Sequence, residues 1–333
     1  MSVGFAVPLF PFARWGGVAP IVDAARRAVE LGFAALSFPE HIAMPVHPDA
    51  GDEVDVWYDT AALAATLAAA TSRLRLVLGA AVIPYRHPVD TANRVATLDQ
   101  VSGGRITLVA GTGWLRREFT ALGVDHALRG RLTDEYLEVI RLLWTADRPS
   151  FAGDHVRFPA LHAQPHCVQR PHVPIWVGGS PGRRAALRRA ARLGDGWAPA
   201  NAIDAGTARA DLAFIAAERH RVGRGSEPFS VSYSLQFGEL DTTTERSRAH
   251  VGRPAGAGLA EGPPASADQV LDEVGRLVEL GADQLSVLFA WRSPTEYLDR
   301  IEEFATRVMP EFAPGVTPVT GGPAPRGGQG RSR

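Results

Sequence analysis

Five short stretches hold the side chains able to do chemistry: Pro39-Glu40-His41, Pro84-Tyr85-Arg86-His87, Gly111-Thr112-Gly113-Trp114, Gly178-Gly179-Ser180, and residues 195–197, which end in Trp197. Glu40-His41 reads as a proton-handling pair, because imidazole serves as acid or base near neutral pH. The competing reading is a histidine that only hydrogen-bonds its own loop. Arg86 offers a cation for an anion, whereas His87, just before Pro88, reads better as a structural turn. Gly111–Gly113 and Gly178–Ser180 each precede a predicted helix, where bare backbone amides can approach a ligand closely. Arg183 and Arg184 follow the second loop and suit a phosphate. Phosphate binding is therefore favoured over simple turn chemistry for this pair of loops. Glu118 is a second acid/base candidate. Its first-turn position on a predicted helix favours the alternative, an acid interacting with the helix dipole.

These stretches need a scaffold that brings them to one face. Residues 74–118 show how: an apolar strand, a loop, an amphipathic helix ended by Ser102-Gly103-Gly104, a second apolar strand, and a glycine loop. A strand–helix–strand crossover makes the two strands parallel neighbours, with both following loops at the same end of the sheet. Further strand candidates lie at 3–7, 34–38, 175–177, 196–198, 229–237 and 284–288. Helices follow each of them in the pattern. Eight such units predict an α/β (β/α)8 TIM-type barrel, with function in the loops after the strands. The rival, a doubly wound open sheet, lacks its G-x-G-x-x-G after the first strand. An irregular insertion breaks the rhythm near 149–172, and a loop-rich segment lies near 241–264. The expectation is one barrel domain over 1–312, followed by a disordered tail over 313–333, rich in Gly, Pro and Arg without apolar periodicity.

Composition removes several classes of function. The chain has 333 residues, a formal net charge of −1 and 45% hydrophobic residues. That balance offers no electrostatic footprint for nucleic acid or an anionic membrane. The longest apolar run, 61–70, is too short to span a bilayer. The opening residues lack the charged region and cleavage site of a signal peptide, so a cytoplasmic location is expected. One cysteine, Cys167, leaves no intrachain disulfide. Every basic side chain other than histidine is arginine, which excludes Schiff-base and P-loop lysines. His162, His166, Cys167 and His172 fit no zinc spacing, so no metal is expected. No G-x-S-x-G elbow anchors a hydrolase triad.

Four segments resemble the luciferase-like monooxygenase superfamily, in particular its coenzyme F420-dependent branch. They are LGFAALSFPEHI (31–42), LGAAVIPYRHPVDTANRVATLDQVSGGRITLVAGTGW (78–114), RGRLTDEYLEVIRLLWT (129–145) and VPIWVGGSPGRRAALRRAARLGDGW (173–197). The resemblance implies a TIM-type barrel holding a flavin or deazaflavin at the strand C-termini, and a non-proline cis peptide, by position Gly79–Ala80, backing the ring. It implies that Gly111, Thr112, Gly113 and Trp114, with Gly178, Gly179, Ser180 and Arg183, hold the rest of the cofactor. Trp197 would lie near it. His41 would stand at the ring face as proton donor or acceptor, oriented by Glu40. The implied activity is hydride transfer between C5 of F420 and a small organic substrate. An FMN-dependent monooxygenase, using O2 and a flavin reductase partner, stays open as the alternative, as does a non-catalytic flavin-binding protein. A homodimer also stays open. The lysine-free composition fits an actinobacterial-like source.

Overall fold

A computed structural model describes residues 3–44, 56–200, 203–237, 240–241 and 265–312. Eight parallel strands form a closed barrel: β1 (Gly4–Pro8), β2 (Ala35–Phe38), β3 (Arg75–Val82), β4 (Ile106–Gly111), β7 (Ile175–Gly179), β8 (Gly196–Pro199), β9 (Ser230–Gln236) and β12 (Gln284–Leu288). Every neighbouring pair is parallel, including β1 with β12, which closes the ring. The (β/α)8 expectation is met strand for strand. Outside the barrel, β5 (Phe151–Ala152) and β6 (Arg157–Phe158) pair antiparallel in the 149–172 insertion. The short β10 (Leu240–Asp241) pairs with β11 (Ala265–Ser266). Apart from Asp241, the loop-rich 241–264 segment falls outside the described residues. So does the 313–333 tail.

The helices are α1 (Val18–Glu30), α2 (Thr60–Ala70), α3 (Pro88–Ser102), α4 (Arg116–Ala121), α5 (Arg129–Thr145), α6 (Arg184–Leu193), α7 (Ala205–Arg221), α8 (Ala267–Glu279) and α9 (Pro294–Arg307). Their ends follow local chemistry. Asp59 caps α2 by accepting from Ala62 N–H at 2.9 Å, Ser293 caps α9 ahead of Pro294, and Ser266 and Gln269 form a reciprocal capping box on α8. Gly103 ends α3 with φ 65°, a left-handed conformation that costs glycine little. None of the described helices is long and apolar enough to cross a membrane.

Alternation along the strands sorts the core into two layers. Ala6, Ala35, Val77, Val109 and Trp176 meet inside the barrel. Leu36, Phe38, Leu76, Leu78, Ile106 and Leu108 belong to the large apolar cluster that joins the strands to the surrounding helices. Trp176 sets a condition on its neighbour, because a Cβ on Gly196 would sit 2.4 Å from its ring. At the N-terminal end of the barrel, the fully buried Asp99 of α3 accepts from Val168 N–H (2.7 Å), Gln169 N–H (3.0 Å) and Gln169 Nε2 (2.7 Å). That carboxylate ties the insertion to the barrel floor. Cys167 is buried beside it in sequence, and burial pushes its thiol up to about 11.

Candidate active site

The loops after β2, β3 and β4 converge on one carboxylate. Glu118 lies in the first turn of the short α4, and its side chain is fully buried. Its Oε1 accepts from the backbone N–H of Ile42 (2.5 Å) and Ala43 (2.9 Å). Its Oε2 accepts from Tyr85 Oη–H (2.5 Å) and meets His41 Nδ1 at 2.8 Å. Burial by itself would raise the Glu118 carboxyl. The hydrogen bonds from Tyr85, Ala43, His41 and Ile42 outweigh it and hold the group below its ordinary value. The same contact, after burial, drives the Tyr85 phenol far above its usual range. An ionised Glu118 only accepts, so Nδ1 of His41 must donate. In the neutral ring Nε2 then carries the lone pair.

The His41 orienter is thus Glu118, and the expected Glu40 contact is absent. Glu40 turns the other way: it is buried, accepts from Val82 N–H at 2.8 Å and Thr60 Oγ1 at 3.4 Å, and pairs with the Arg86 guanidinium. The reason is geometric, since adjacent residues of an extended loop point to opposite sides. Arg86 also reaches Asp59 at 3.4 Å, so it is an internal partner rather than a free anion site. His87 caps α3 through Val89 N–H at 3.4 Å, in line with its turn reading. A small cavity lies behind Glu40 and Arg86, between β3, α2 and α3, away from the His41 side.

Around His41 the walls are aromatic. Its ring meets Trp57 edge-on at 4.6 Å and Trp114 at 6.1 Å, and Trp57 stacks on Phe10 at 4.7 Å. Trp114 is 63% exposed. In sequence Trp57 belongs, with Tyr58, to the long 44–58 loop expected to cover the pocket. Of the 44–58 loop that holds it, residues 45–55 fall outside the described residues.

The Gly79–Ala80 peptide is cis, and the β3–β4 register shifts between Gly79 and Ala81. A Cβ on Gly79 would lie 2.9 Å from Val109 Cγ2, and Ala80 is exposed at the mouth. Gly111 packs against the same spot, since its Cβ would be 3.1 Å from that of Ala80. Small residues continue around the rim at Ser37, Ala198, Ser234 and Ser286, all half-buried, and leave room above the filled barrel. Two of the predicted ligand glycines have packing reasons of their own. Gly113 has φ +73°, and a Cβ there would meet Val82 at 2.6 Å and Phe119 at 2.8 Å; one on Gly179 would be 2.7 Å from Ala186. Thr112 is half-buried between these positions.

The loop after β7 is more open. Ser180 and Arg183 are exposed, Arg183 has no ion pair among the described residues, and no side chain caps α6. Its first-turn amides therefore lack intrahelical partners. Gly182 N–H is spoken for by the buried Asp211 at 2.9 Å, and Arg184 stacks over Phe214 at 4.1 Å. Trp197 is a correction: its side chain is fully buried among Val177, Leu187, Ala190 and Ile215, between strands and helices. The alternation that turns Ala198 toward the mouth turns Trp197 outward. Among the described residues no group of three or more His, Cys, Asp or Glu is placed to hold a metal.

The fold and this site define a class: a (β/α)8 barrel with its reactive groups on the loops at the strand C-termini. The chain belongs to the luciferase-like monooxygenase family, which it matches over residues 13–257. An uncharacterized Mycobacterium tuberculosis protein is 35% identical over 196 residues, 54% of this chain and 67% of that protein. An FMNH2-dependent dimethylsulfone monooxygenase of Pseudomonas putida is 33% identical over 200 residues, 58% of this chain and 54% of that enzyme. Among solved structures, the monooxygenase RslO1 of Streptomyces bottropensis superposes with a TM-score of 0.76 at 24% identity, covering 93% of this chain and 100% of that one. An F420-dependent secondary alcohol dehydrogenase, bound to an F420–acetone adduct, gives 0.71 at 17% identity over 94% and 100%. At those identities the structures share the fold. The structural neighbours include F420-dependent enzymes, and the sequence relatives include an FMNH2-dependent monooxygenase.

Proposed function

We propose that this chain is a cytoplasmic coenzyme F420-dependent oxidoreductase acting on a small organic substrate. One observation carries the reading: a histidine at the barrel mouth has Nδ1 fixed on a buried carboxylate and no hydrogen-bond partner on Nε2 among the described residues. Hydride transfer at a carbon bearing oxygen needs a proton moved at that oxygen. His41 Nε2 takes the proton when a hydride leaves the substrate and returns it when a hydride arrives. The bound deazaflavin supplies the carbon that gives or receives the hydride.

The residues present fit such a cofactor. Gly79, Ala80 and Gly111 leave a flat, side-chain-poor patch beside the cis peptide for a ring system. Thr112, Gly113 and Gly178 flank that patch. Ser180, Arg183 and the first-turn amides of α6 suit a phosphate. Trp114, Trp57 and Phe10 line the space beside His41 with aromatic rings.

A second reading is an FMN-dependent monooxygenase supplied by a separate reductase, and the Pseudomonas putida relative favours it. Fluorescence titration of the purified chain with F420 and with FMN separates the two. F420 binding with FMN left free is the expected result. Tight FMN binding with no response to F420 overturns the first reading and moves the assay to reduced flavin and O2.

A further inference from the structure

We propose that Tyr85 is a positioning residue for His41, acting through Glu118, and that Glu118 is a fixed anchor rather than a proton donor. Four donors meet on the one carboxylate. A carboxylate offers about four lone-pair positions. Here Oε1 holds two backbone N–H groups, and Oε2 holds the Tyr85 hydroxyl and His41 Nδ1. A proton placed on either oxygen would displace one of them inside a fully buried site. Glu118 therefore has no position from which to give or take a proton in a reaction. What it does instead is fix His41 as the Nδ1–H tautomer, with Nε2 aimed elsewhere as acceptor.

Tyr85 shares the same oxygen with His41. Its ring is held independently, buried after β3 and edge-on to Phe119 at 5.0 Å. Two donors on Oε2 divide the pull of the carboxylate between them, so the phenol moderates how strongly Glu118 favours the charged imidazole. The other groups facing this corner do not do so. Trp57 and Trp114 are uncharged, and Glu40 is turned onto Val82 N–H and Arg86. Two opposite effects follow. Removing the phenol hydroxyl leaves Oε2 to His41 alone and moves its titration to higher pH. Replacing Glu118 by an amide removes the negative acceptor and moves the titration to lower pH.

The test reads the imidazole directly and needs neither substrate nor cofactor. Side-chain 1H–15N NMR of the full chain, with His41 assigned by loss of its signals in His41→Asn, gives tautomer and midpoint. The wild type is expected as the Nδ1–H tautomer. Tyr85→Phe keeps the ring and its packing, and the His41 midpoint is expected to rise as Oε2 is left to the imidazole alone. Glu118→Gln is expected to lower the midpoint and mix the tautomers. A wild-type His41 found mainly as the Nε2–H tautomer overturns the proposal. So does a Tyr85→Phe protein, folded by circular dichroism, whose His41 midpoint and tautomer match the wild type. If Glu118→Gln fails to fold, Tyr85→Phe alone decides.

Discussion

Two fully buried carboxylates hold opposite ends of this barrel, Asp99 at the N-terminal end and Glu118 at the C-terminal end. Each sits on a helix between strands and collects donors from a loop distant in sequence. Asp99 takes two backbone amides and a glutamine side chain, at 2.7–3.0 Å. None of those donors titrates near neutral pH. Glu118 takes two backbone amides as well, but its other partners are an imidazole and a phenol. The same physics, a buried charge stabilised by surrounding dipoles, builds a staple in one place and the corner proposed to handle protons in the other. What separates them is the chemistry of the third and fourth donors, and the end of the barrel at which they open.

The sharpest test of that contrast removes one partner at each end. His41→Ala is expected to lower turnover by about 10²–10⁴-fold, the usual worth of a positioned acid–base group. Cofactor affinity, read by fluorescence, should stay within a few-fold, because the loops proposed to back the ring and hold the phosphate are untouched. Unchanged turnover would take His41 out of the chemistry and reduce the upper corner to a second staple. Asp99→Ala should act in the reverse sense. It removes a fully buried carboxylate from three part-buried donors, so unfolding free energy from urea melts is expected to fall by roughly 3 kcal/mol. The His41 tautomer in the surviving folded protein should match the wild type. A shifted tautomer would mean the two ends are coupled through the barrel.

The barrel itself was readable because its signals are local. Apolar runs such as 74–82 and 106–110, with glycines at 103 and 104, announce strand, helix and stop without reference to the rest of the chain. The cis Gly79–Ala80 peptide came only from resemblance, since two small residues in a strand say nothing about ω by themselves. The candidate corner was half legible. His41 stood out by type and place, but its partner was assigned by adjacency to Glu40, and adjacency is a poor guide in an extended loop. The carboxylate that holds it lies 77 positions away. Its first-turn position resembled ordinary helix electrostatics. Tyr85 was hidden for a related reason: Arg86 and His87 beside it looked more reactive, and only packing shows that the phenol reaches Glu118. Trp197 failed through a parity error, because alternation of a short strand flips on one residue. Glycines at 113 and 179 seemed open for a ligand, and the structure shows each already crowded by its own neighbours.

The β7–α6 loop extends the comparison, since its exposed Arg183 has no ion pair among the described residues. Arg183→Ala is expected to weaken cofactor binding about tenfold, the scale of one charge-assisted contact. Turnover at saturating cofactor should change little, and the effect should shrink in high salt. A drop in turnover at saturation, with affinity unchanged, would place the phosphate elsewhere and give Arg183 a different task.

The smallest effect concerns acid. Glu118 has its folded pKa depressed below the ordinary 4.5. A depressed carboxylate adds stability that is fully present above its unfolded value and is lost as pH falls through the folded value. The loss therefore begins below about pH 4.5 and deepens toward lower pH, while at neutral pH the contribution is constant. Glu118→Gln lacks this titration. Its urea midpoint should start lower than the wild type at pH 7, and the gap should narrow as both are taken into acid. A gap that stays constant down to the acid unfolding limit would mean that Glu118 is no better solvated in the folded chain than in the unfolded one. The upper carboxylate would then owe its place to packing, and the contrast with Asp99 would rest on the imidazole alone.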